Sequence, residues 1–459
     1  MKERSIKEIV QLQTKFFRSG STRDIEYRKQ KLTKLEEGIR AHEDDLYEAF
    51  QEDLGKSKAE SYMAEIAQVL GELGYIRKHL GKWSKPKKAK TTSGTFPGKS
   101  RIYMEPYGVV LVLAPWNYPV FLAFSPVIGA IAAGNTVVLK CSKSSPNCAR
   151  VIREIINESL PEELCYSAKA EIDYDEVLDQ DYQYIFFTGS PRVGKQIMKT
   201  ASKRLIPVSL ELGGKSPCIV TDSANIKLAA KRIIWGKLLN AGQTCISIDY
   251  ILVDRKVKEA LVSELKDEVD RTYGKPLLNK DYPKIVSNHH FNRLMKLIEE
   301  ERKLGKVIDG EGDAQSRKIS PAIITDADFT HPTMEEEIFG PILPVINYDN
   351  IDEAVEQIND RPHPLATYIF TEDAALAKSL INKLPFGGGC INDTILHIAN
   401  HHMPFGGVGN SGMGNYHGFY SFRTFTHEKS VYWGSTKIDI PIRYGPLDDK
   451  KWQFLKKFI

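Results

Sequence analysis

The spacing of apolar residues changes along the 459-residue chain, from a pattern typical of helices to continuous apolar runs typical of buried strands. Residues 5–84 have helical periodicity with dense charge pairs. After residue 108, continuous apolar runs predict strands buried on both faces. The strands are predicted at 109–113, 136–139 and 184–187, and the helices between and after them at 120–133, about 147–159 and from Ser190 onward. This alternation predicts an α/β fold with a doubly wound, Rossmann-like parallel sheet.

The length of the chain exceeds what one hydrophobic core normally serves, so two or three domains are expected. Residues 85–107 are rich in Pro, Gly, Ser and Thr, which predicts an extended arm rather than core. The amphipathic stretch 226–239 and the apolar run 251–253 flank the loop that carries Cys245.

Composition narrows the class of protein. A net charge of +4, with 42% hydrophobic and 27% charged residues, is typical of a globular enzyme and gives no reason to expect a nucleic-acid partner. Six cysteines without a CxxC pair, and no secretory signal at the start, favour free thiols and a cytoplasmic location. The longest apolar stretch, 120–133, is too short to span a bilayer. The basic tail 450–459 could lie on a membrane, but docking on the protein's own surface is favoured and membrane contact is not expected.

Several polar or glycine positions follow the predicted strands directly. Asn117 follows the first strand, Lys140 ends the second, and Thr188 and Gly189 end the third. Ligands of open parallel sheets bind beyond the carboxyl ends of the strands, so these residues are expected to share one crevice. The helix that begins at Ser190 offers its N-terminus to a pyrophosphate.

Two residues suggest covalent chemistry. Cys245 lies in a loop of small residues, Asn240-Ala-Gly-Gln-Thr-Cys245, where a substrate carbonyl would have room to approach the sulfur. Glu211 ends an apolar run upstream, and a thiol nucleophile needs such a base. Taken alone, each has a simpler interpretation, because most free cysteines are structural and Glu211 could be an ion-pair partner.

Two other patterns are weaker. The segment Gly407-Val-Gly-Asn-Ser-Gly412 matches G-x-G-x-x-G, but it lacks the flanking strand and helix of a dinucleotide site and is interpreted as a glycine-rich loop. The spacing of His397, His401 and His402 could hold a metal, but no carboxylate or cysteine lies among them, and we expect no metal site.

The ordered set of short motifs resembles the aldehyde dehydrogenase superfamily, over nearly the whole chain. The motifs are Pro115-Trp-Asn117-Tyr-Pro119, Gly129-Ala-Ile-Ala-Ala-Gly-Asn135, Phe187-Thr-Gly-Ser190, Glu211-Leu-Gly-Gly-Lys215, Gly242-Gln-Thr-Cys245 and Glu336-Glu-Ile-Phe-Gly-Pro341. The stretch from Gly387 to Ser421 is similar to the class-3 branch, which acts on fatty and aromatic aldehydes.

The resemblance implies NAD(P)-dependent oxidation of medium- or long-chain aliphatic or aromatic aldehydes to carboxylic acids. Cys245 would be the nucleophile, Asn117 an oxyanion donor and Glu211 the base that hydrolyses the thioester. It implies a cofactor site formed by Lys140, Lys143, Thr188, Gly189, Ser190, Gly194, Glu337 and Phe339. It implies a substrate tunnel lined by Tyr118, Trp235 and His417.

By the same resemblance, residues 1–86 and 108–211 form the dinucleotide-binding domain, and residues 212–425 form a second α/β domain, the catalytic domain. Segments 87–107 and 426–445 are expected to be oligomerisation arms, followed by a tail at 446–459. Extended arms expose unpaired strand edges, so a homodimer is expected.

The sequence departs from the family at the adenosine end of the cofactor site. Relatives commonly have Lys-Pro-Ser-Glu where this chain has Lys140-Cys-Ser-Lys143, and a Gly-Gly pair where it has Ala168-Lys169-Ala170. A lysine in place of that glutamate should attract a 2′-phosphate, which predicts that NADP serves at least as well as NAD. Two alternatives stay open: a cofactor-independent esterase or thioesterase using Cys245 and Glu211, and a paralogue impaired by its altered cofactor site.

Overall fold

The computed structural model describes residues 4–458. Its helices, in chain order, are α1 Ile6–Arg18, α2 Ile25–Ala41, α3 Glu43–Leu54, α4 Lys58–Ser61, α5 Ala67–Trp83, α6 Pro119–Ala133, α7 Pro146–Ser159, α8 Tyr174–Leu178, α9 Pro191–Ser202, α10 Ile226–Leu238, α11 Lys258–Tyr273, α12 Asn288–Leu304, α13 Ile351–Asn359, α14 Ala374–Lys383, α15 Phe419–Thr424 and α16 Asp449–Phe458.

The strands are β1 Lys87–Ala89, β2 Lys99–Pro106, β3 Val109–Leu113, β4 Thr136–Lys140, β5 Cys165–Ala168, β6 Tyr184–Thr188, β7 Val208–Glu211, β8 Pro217–Val220, β9 Tyr250–Asp254, β10 Val307–Asp309, β11 Gly312–Asp313, β12 Lys318–Ile319, β13 Ala322–Ile324, β14 Ile342–Tyr348, β15 Ala366–Phe370, β16 Gly388–Ile391, β17 Gly412–Met413 and β18 Thr426–Trp433.

The first sheet has the strand order β17-β7-β6-β3-β4-β5, and all of its strands except β17 run parallel. Its central strand β3 is apolar throughout because both of its faces are buried. Val109, Leu111 and Leu113 pack in the cluster that includes α1, while Val110 and Val112 pack in the cluster that includes α2, α5 and α6. The predicted Rossmann-like parallel sheet is confirmed.

Two short elements in this part of the chain, strand β5 and helix α8, were not predicted. The strand β5 carries Cys165 and Ser167 in only four residues, and α8 has only five residues. Neither is long enough to show a period. Strand β5 becomes regular by pairing with β4, which places Ala168 opposite Lys140, while α8 begins at the side-chain cap of Asp173.

The second sheet has the order β10-β13-β14-β9-β8-β15-β16, and only the β10–β13 pair is antiparallel. The amphipathic stretch 226–239 contains α10, and the apolar run 251–253 is the central part of β9. The loop that carries Cys245 connects these two elements. The predicted domain limits stay predictions.

The segments expected to be arms meet in one small sheet. Strand β2 pairs antiparallel with β1 on one side and with β18 on the other, where the register runs from Thr426 opposite Pro106 to Trp433 opposite Lys99. In this sheet of order β1-β2-β18, β18 is an edge strand.

The tail forms the helix α16, which exposes Trp452 and Phe454. Across residues 4–458, no helix combines the length and apolarity that crossing a bilayer requires.

Helix α6 follows directly after Asn117, so its packing fixes where that residue lies. All fifteen residues of α6 are buried, and Gly129 lies against α15. A Cβ atom at Gly129 would lie 2.7 Å from Cβ of Ser421 and 3.3 Å from the ring of Phe425. The backbone of α6 therefore approaches α15 as closely as a glycine allows.

We expect Gly129→Val to lower the free energy of unfolding by about 1–3 kcal/mol, because the added carbons overfill this contact. Thermal and urea unfolding measure the change. The matched control is Gly74→Ala in α5, where a Cβ atom would have no neighbour within 4 Å. That variant should be unchanged or more stable by up to about 1 kcal/mol, through helix propensity. Equal effects of the two substitutions would contradict the close packing.

Candidate active site

Asn117 lies in the loop between β3 and α6, at the carboxyl edge of the first sheet. Its side-chain Nδ2 donates to the backbone O of Gln243 at 3.1 Å. Its own backbone O accepts from Nδ2 of Asn240 at 2.8 Å. These reciprocal bonds join the Asn117 loop to the Cys245 loop. An amide nitrogen carries two hydrogens, so one N–H of Asn117 is left for a ligand.

The Cys245 loop has an unusual backbone. Asn240, Ala241 and Gly242 have φ values of +54°, +51° and +76°, a run of left-handed residues. At Gly242 a side chain would collide with the backbone O of Gly340. Gln243 then holds the following segment by donating to the O of Lys284 at 3.1 Å and accepting from the N of Val286 at 3.0 Å. The loop is thereby fixed on three sides.

Cys245 is half-buried, whereas Cys141, Cys148, Cys165 and Cys218 are buried. Burial, and then the negative charges of Glu337 and Glu211, raise the pKa of Cys245 to about 12. The nearby backbone N–H groups of Cys245 and Ile246 act in the opposite direction, because their positive ends favour a thiolate. Burial and the two carboxylates therefore disfavour the thiolate form of Cys245.

Glu211 ends β7 at the same edge, opposite Thr188 in the neighbouring strand β6. Its side chain is buried, and neither carboxylate oxygen has a hydrogen-bond partner in the described residues. Burial raises the pKa of Glu211 well above the ordinary range. An unpartnered acid of this kind is a typical general base, because it holds no proton donor that would have to be displaced.

Glu337 and Phe339 lie on the loop that precedes β14. A Cβ atom at Gly213 would collide with the Glu337 carboxylate, so the Glu211-Leu-Gly-Gly-Lys215 segment passes directly beneath that group. Burial and the nearby Asp249 raise the pKa of Glu337 to about 8. Phe339 has a left-handed backbone, φ +51°, and its ring stands edge-on to Trp116 at 5.4 Å.

A partly buried ion pair holds this loop. Lys215 pairs with Asp249, and it also donates to the backbone O of Thr333 at 2.6 Å. The other oxygen of Asp249 accepts from the N of Ile338 at 2.9 Å. Sequence reasoning included Lys215 in a motif but missed Asp249, since nothing in its local sequence links it to position 215.

Lys140 and Lys143 lie near the end of β4. The ammonium of Lys140 donates to the backbone O of Ala170 at 3.1 Å and lies 4.4 Å from the centre of the Tyr174 ring. Burial lowers the pKa of Lys140, and the charge of Lys143 adds to that effect. Lys143 is itself exposed, so a buried cation at the end of β4 and an exposed cation just after it influence each other.

Thr188, Gly189 and Ser190 connect β6 to α9. The Oγ1 of Thr188 is buried and has no hydrogen-bond partner within residues 4–458, while Ser190 is exposed and caps α9 by accepting from the N of Val193. At Gly194, in the first turn of α9, a Cβ atom would lie 2.8 Å from Cδ2 of Leu212. This close approach sets α9 against the end of β7.

The three residues expected around the substrate lie on different elements. Tyr118 is buried, and its hydroxyl shares a 2.8 Å hydrogen bond with Oγ1 of Thr244, beside Cys245. Trp235, on α10, is half-buried. His417 is buried and stacks on Tyr416 and Phe121, and burial lowers its pKa to about 4.

Tyr416 was missed by sequence reasoning. It is fully buried, and its hydroxyl has no hydrogen-bond partner in the described part of the chain. Burial raises the pKa of Tyr416, and the charges of Glu211 and Cys245 raise it further, so the three groups are neighbours. A tyrosine next to a glycine-rich loop carries no distinctive pattern, and only the fold reveals its position.

The histidine pattern and the glycine-rich segment are both packed against other parts of the fold. His397 is buried against Phe405, with Nδ1 3.6 Å from Sγ of Cys390, and His401 faces Glu72. Among residues 4–458, no three His, Cys, Asp or Glu side chains are grouped as metal ligands. The glycine-rich segment at 407–412 is a loop, as predicted, and its last residue pairs with Glu211 through β17.

Comparison with known proteins identifies the family of this chain. Residues 1–431 match the aldehyde dehydrogenase family. The chain is 45% identical to 4,4'-diaponeurosporen-aldehyde dehydrogenase of Staphylococcus aureus, over 96% of each protein. It is 41% identical to the dimeric NADP-preferring aldehyde dehydrogenase of Canis lupus familiaris, over 93% of this chain and 94% of that one.

Similarity extends to solved structures. The substrate-bound state of Staphylococcus aureus AldH superimposes with a TM-score of 0.96 and 44% identity, covering 99% of this chain and 100% of the other. The parallel sheets, the half-buried cysteine and the matches along nearly the entire chain lead to one conclusion: the chain belongs to the aldehyde dehydrogenase family and is an oxidoreductase acting on aldehydes.

Proposed function

We propose that this enzyme oxidises medium- or long-chain aliphatic or aromatic aldehydes to carboxylic acids with NAD or NADP, using Cys245 as its nucleophile. The observation that carries the proposal is the loop carrying the half-buried Cys245, which is hydrogen-bonded to Asn117 and lies within electrostatic range of the unpartnered Glu211. The buried side chains of Tyr118 and His417 and the half-buried Trp235 favour an apolar substrate.

In this proposal the Cys245 thiol first loses its proton to solvent, and the resulting thiolate attacks the aldehyde carbon. The free N–H of the Asn117 side chain and the backbone N–H of Cys245 donate to the oxyanion that forms. Donors of this type are each worth about 10²–10³ in rate, because they are fixed before the charge develops. The reciprocal bonds between Asn117 and the Cys245 loop keep both donors in place.

Glu211 would activate the water that hydrolyses the thioester on Cys245. Its raised pKa makes the carboxylate a stronger base once it is ionised. The raised pKa of Glu211 also sets how the rate of thioester hydrolysis depends on pH. Hydrolysis should increase as pH rises through this raised pKa, and the limb should lie above the range of an ordinary carboxyl group.

The residues at the sheet edge fit a dinucleotide. The exposed N-terminus of α9 can receive phosphate, and Lys140 has ammonium hydrogens beyond the one it shares with Ala170. Thr188 brings an unpartnered hydroxyl, and Glu337 a carboxylate on a fixed loop. Bound here, the nicotinamide would accept hydride from the carbon attached to Cys245, and Glu337 and Phe339 would orient it.

We expect Cys245→Ala to abolish aldehyde oxidation, because no other described thiol lies in this loop. Glu211→Gln should still form the thioester, so absorbance at 340 nm should show a burst of one equivalent per site. The steady rate after the burst should fall about 10²–10⁴-fold, the usual contribution of a general base.

An assay with a chromogenic ester and no cofactor distinguishes the proposed dehydrogenase from an esterase. A cofactor-independent esterase would release the phenol of a chromogenic ester and give no change at 340 nm with aldehyde and cofactor. Normal oxidation by Cys245→Ala, or a Glu211→Gln variant with an unchanged steady rate, would refute the assigned roles.

The choice of cofactor depends on the cationic pair at the end of β4. Lys143 is exposed and close enough to Lys140 to lower its pKa, although the acidic Glu171 and Asp173 lie near Lys140 as well. A 2′-phosphate would neutralise this concentration of positive charge. A relative of 41% identity carries the description NADP-preferring, which supports the same assignment.

We predict that kcat/KM with NADP is at least equal to that with NAD, and that Lys143→Glu shifts the ratio toward NAD by about tenfold or more, since it replaces attraction with repulsion. Steady-state kinetics with both cofactors measure the ratio. Lys199→Glu, in the last turn of α9, is the matched charge-reversal control and should leave the ratio unchanged. A strong NAD preference that Lys143→Glu does not alter would overturn the prediction.

We also propose that the enzyme is a homodimer in the cytoplasm. The edge strands β18 and β16 expose Trp433 and Ile391, each with an open side for pairing. All six cysteines are free thiols, as expected in a reducing compartment. The canine relative is described as dimeric.

Sedimentation at micromolar concentration should give twice the 51.8 kDa chain mass. Trp433→Lys should weaken the dimer, because it places a charge where apolar surface would be buried. Leu205→Lys, at an exposed position far from both edges in the sequence, should not. A monomer, or equal weakening by both variants, would exclude pairing through β18.

A further inference from the structure

Directly behind Asn117 lies a buried ammonium group. The Nζ of Lys56 donates to the backbone O of Asn117 at 3.0 Å and to Oε1 of Glu65 at 2.6 Å. The side chains of this ion pair have no exposed surface. The ammonium also lies 4.0 Å from the centre of the Tyr118 ring, the residue that follows Asn117.

Glu65 reaches this position because the helix is locally widened. Residues Tyr62–Ile66 form a π-helical turn between α4 and α5. In an α-helix, residues five apart point in different directions, whereas the i→i+5 bonding of a π-turn brings them to one face. Glu60 and Glu65 therefore both point inward, toward the loops of the active site.

Both carboxylates hold backbone of those loops. The Oε2 of Glu65 accepts from the N of Val120 at 2.9 Å and from the N of Phe121 at 3.2 Å, at the start of α6. The Oε1 of Glu60 accepts from the N of Asn240 at 2.7 Å. Asn240 in turn donates to the same Asn117 oxygen that Lys56 contacts. The backbone O of Asn117 is thus held by two buried donors.

We propose that Lys56, anchored by Glu65, is a positioning residue for the oxyanion site. By fixing the backbone O of Asn117, it sets the direction in which the side-chain amide of that residue points. The inference rests on the proposed role of Asn117 as an oxyanion donor. A purely stabilising role fits the pair less well, because a buried ion pair can often be replaced by apolar side chains without loss of stability.

The test is a double-mutant cycle with Lys56→Met and Asn117→Ala in the full-length enzyme. If Lys56 acts through Asn117, Lys56→Met should lower kcat/KM for aldehyde about 10- to 100-fold in the natural chain, as expected for a displaced catalytic group. In the Asn117→Ala background it should have little further effect, because the group it positions is gone. Reduced-cofactor fluorescence measures the slow variants.

Two controls exclude a general loss of structure. The KM for the cofactor and the rise in Tm on adding NADP should not change in Lys56→Met. The matched variant is Arg28→Met, which removes another buried cation that donates to a backbone carbonyl, the O of Ala132 at 2.6 Å, at the far end of α6 from Asn117. It should lower Tm and leave kcat/KM unchanged below the unfolding transition.

The outcomes separate the two proposals. If Asn117→Ala alone keeps full activity, the oxyanion role of Asn117 fails. If Asn117→Ala is impaired but Lys56→Met is fully active, or lowers kcat/KM equally in both backgrounds, only the positioning role fails. Should Lys56→Met not fold, the cycle uses Glu65→Gln, which preserves the shape of the anchor and removes its charge, and the same non-additivity is expected.

Discussion

The site depends on the reciprocal hydrogen bonds between two side-chain amides and two loops. Asn117 donates to the backbone of the Cys245 loop, and Asn240 in that loop donates back to the backbone of Asn117. One loop belongs to the first sheet and the other to the second. These bonds therefore hold the two loops, one from each half of the chain, in a fixed position relative to each other.

Strained backbone makes this contact possible. Three consecutive left-handed residues turn the chain between α10 and Cys245, and Asn240 occupies such a conformation without being glycine. Asparagine tolerates the left-handed region better than most residues, because its short polar side chain can bond locally. Here that side chain also bonds to the Asn117 loop, so the strain and the inter-loop contact share one residue. The result is a preorganised loop, which the proposed role of Cys245 as a nucleophile requires.

Burial is the largest cause of the raised pKa values of the acidic groups around the site. Glu211, Glu337 and Glu60 all have raised pKa values, and in each the first cause is removal from water. Carboxyl groups remain out of contact with water only where the surrounding side chains are tightly packed. The apolar sheets and α6 provide that packing. The same low polarity that raises the pKa of the acids also raises the pKa of the thiol, so the cysteine depends on its neighbours for activation.

The sequence alone determined the periodic elements and the edge at which chemistry should occur. The apolar run of β3 predicted a strand buried on both faces, and Asn117, Lys140 and Thr188 were placed at one sheet edge because parallel strands end together. The tertiary structure alone decided the rest. Strand β5 and helix α8 are too short to show a period, Asp249 lies far from Lys215 in the chain, and Lys56 lies 61 positions from Asn117. Periodicity reports only which face of an element is buried, whereas a hydrogen bond between distant residues exists only after the chain has closed around it.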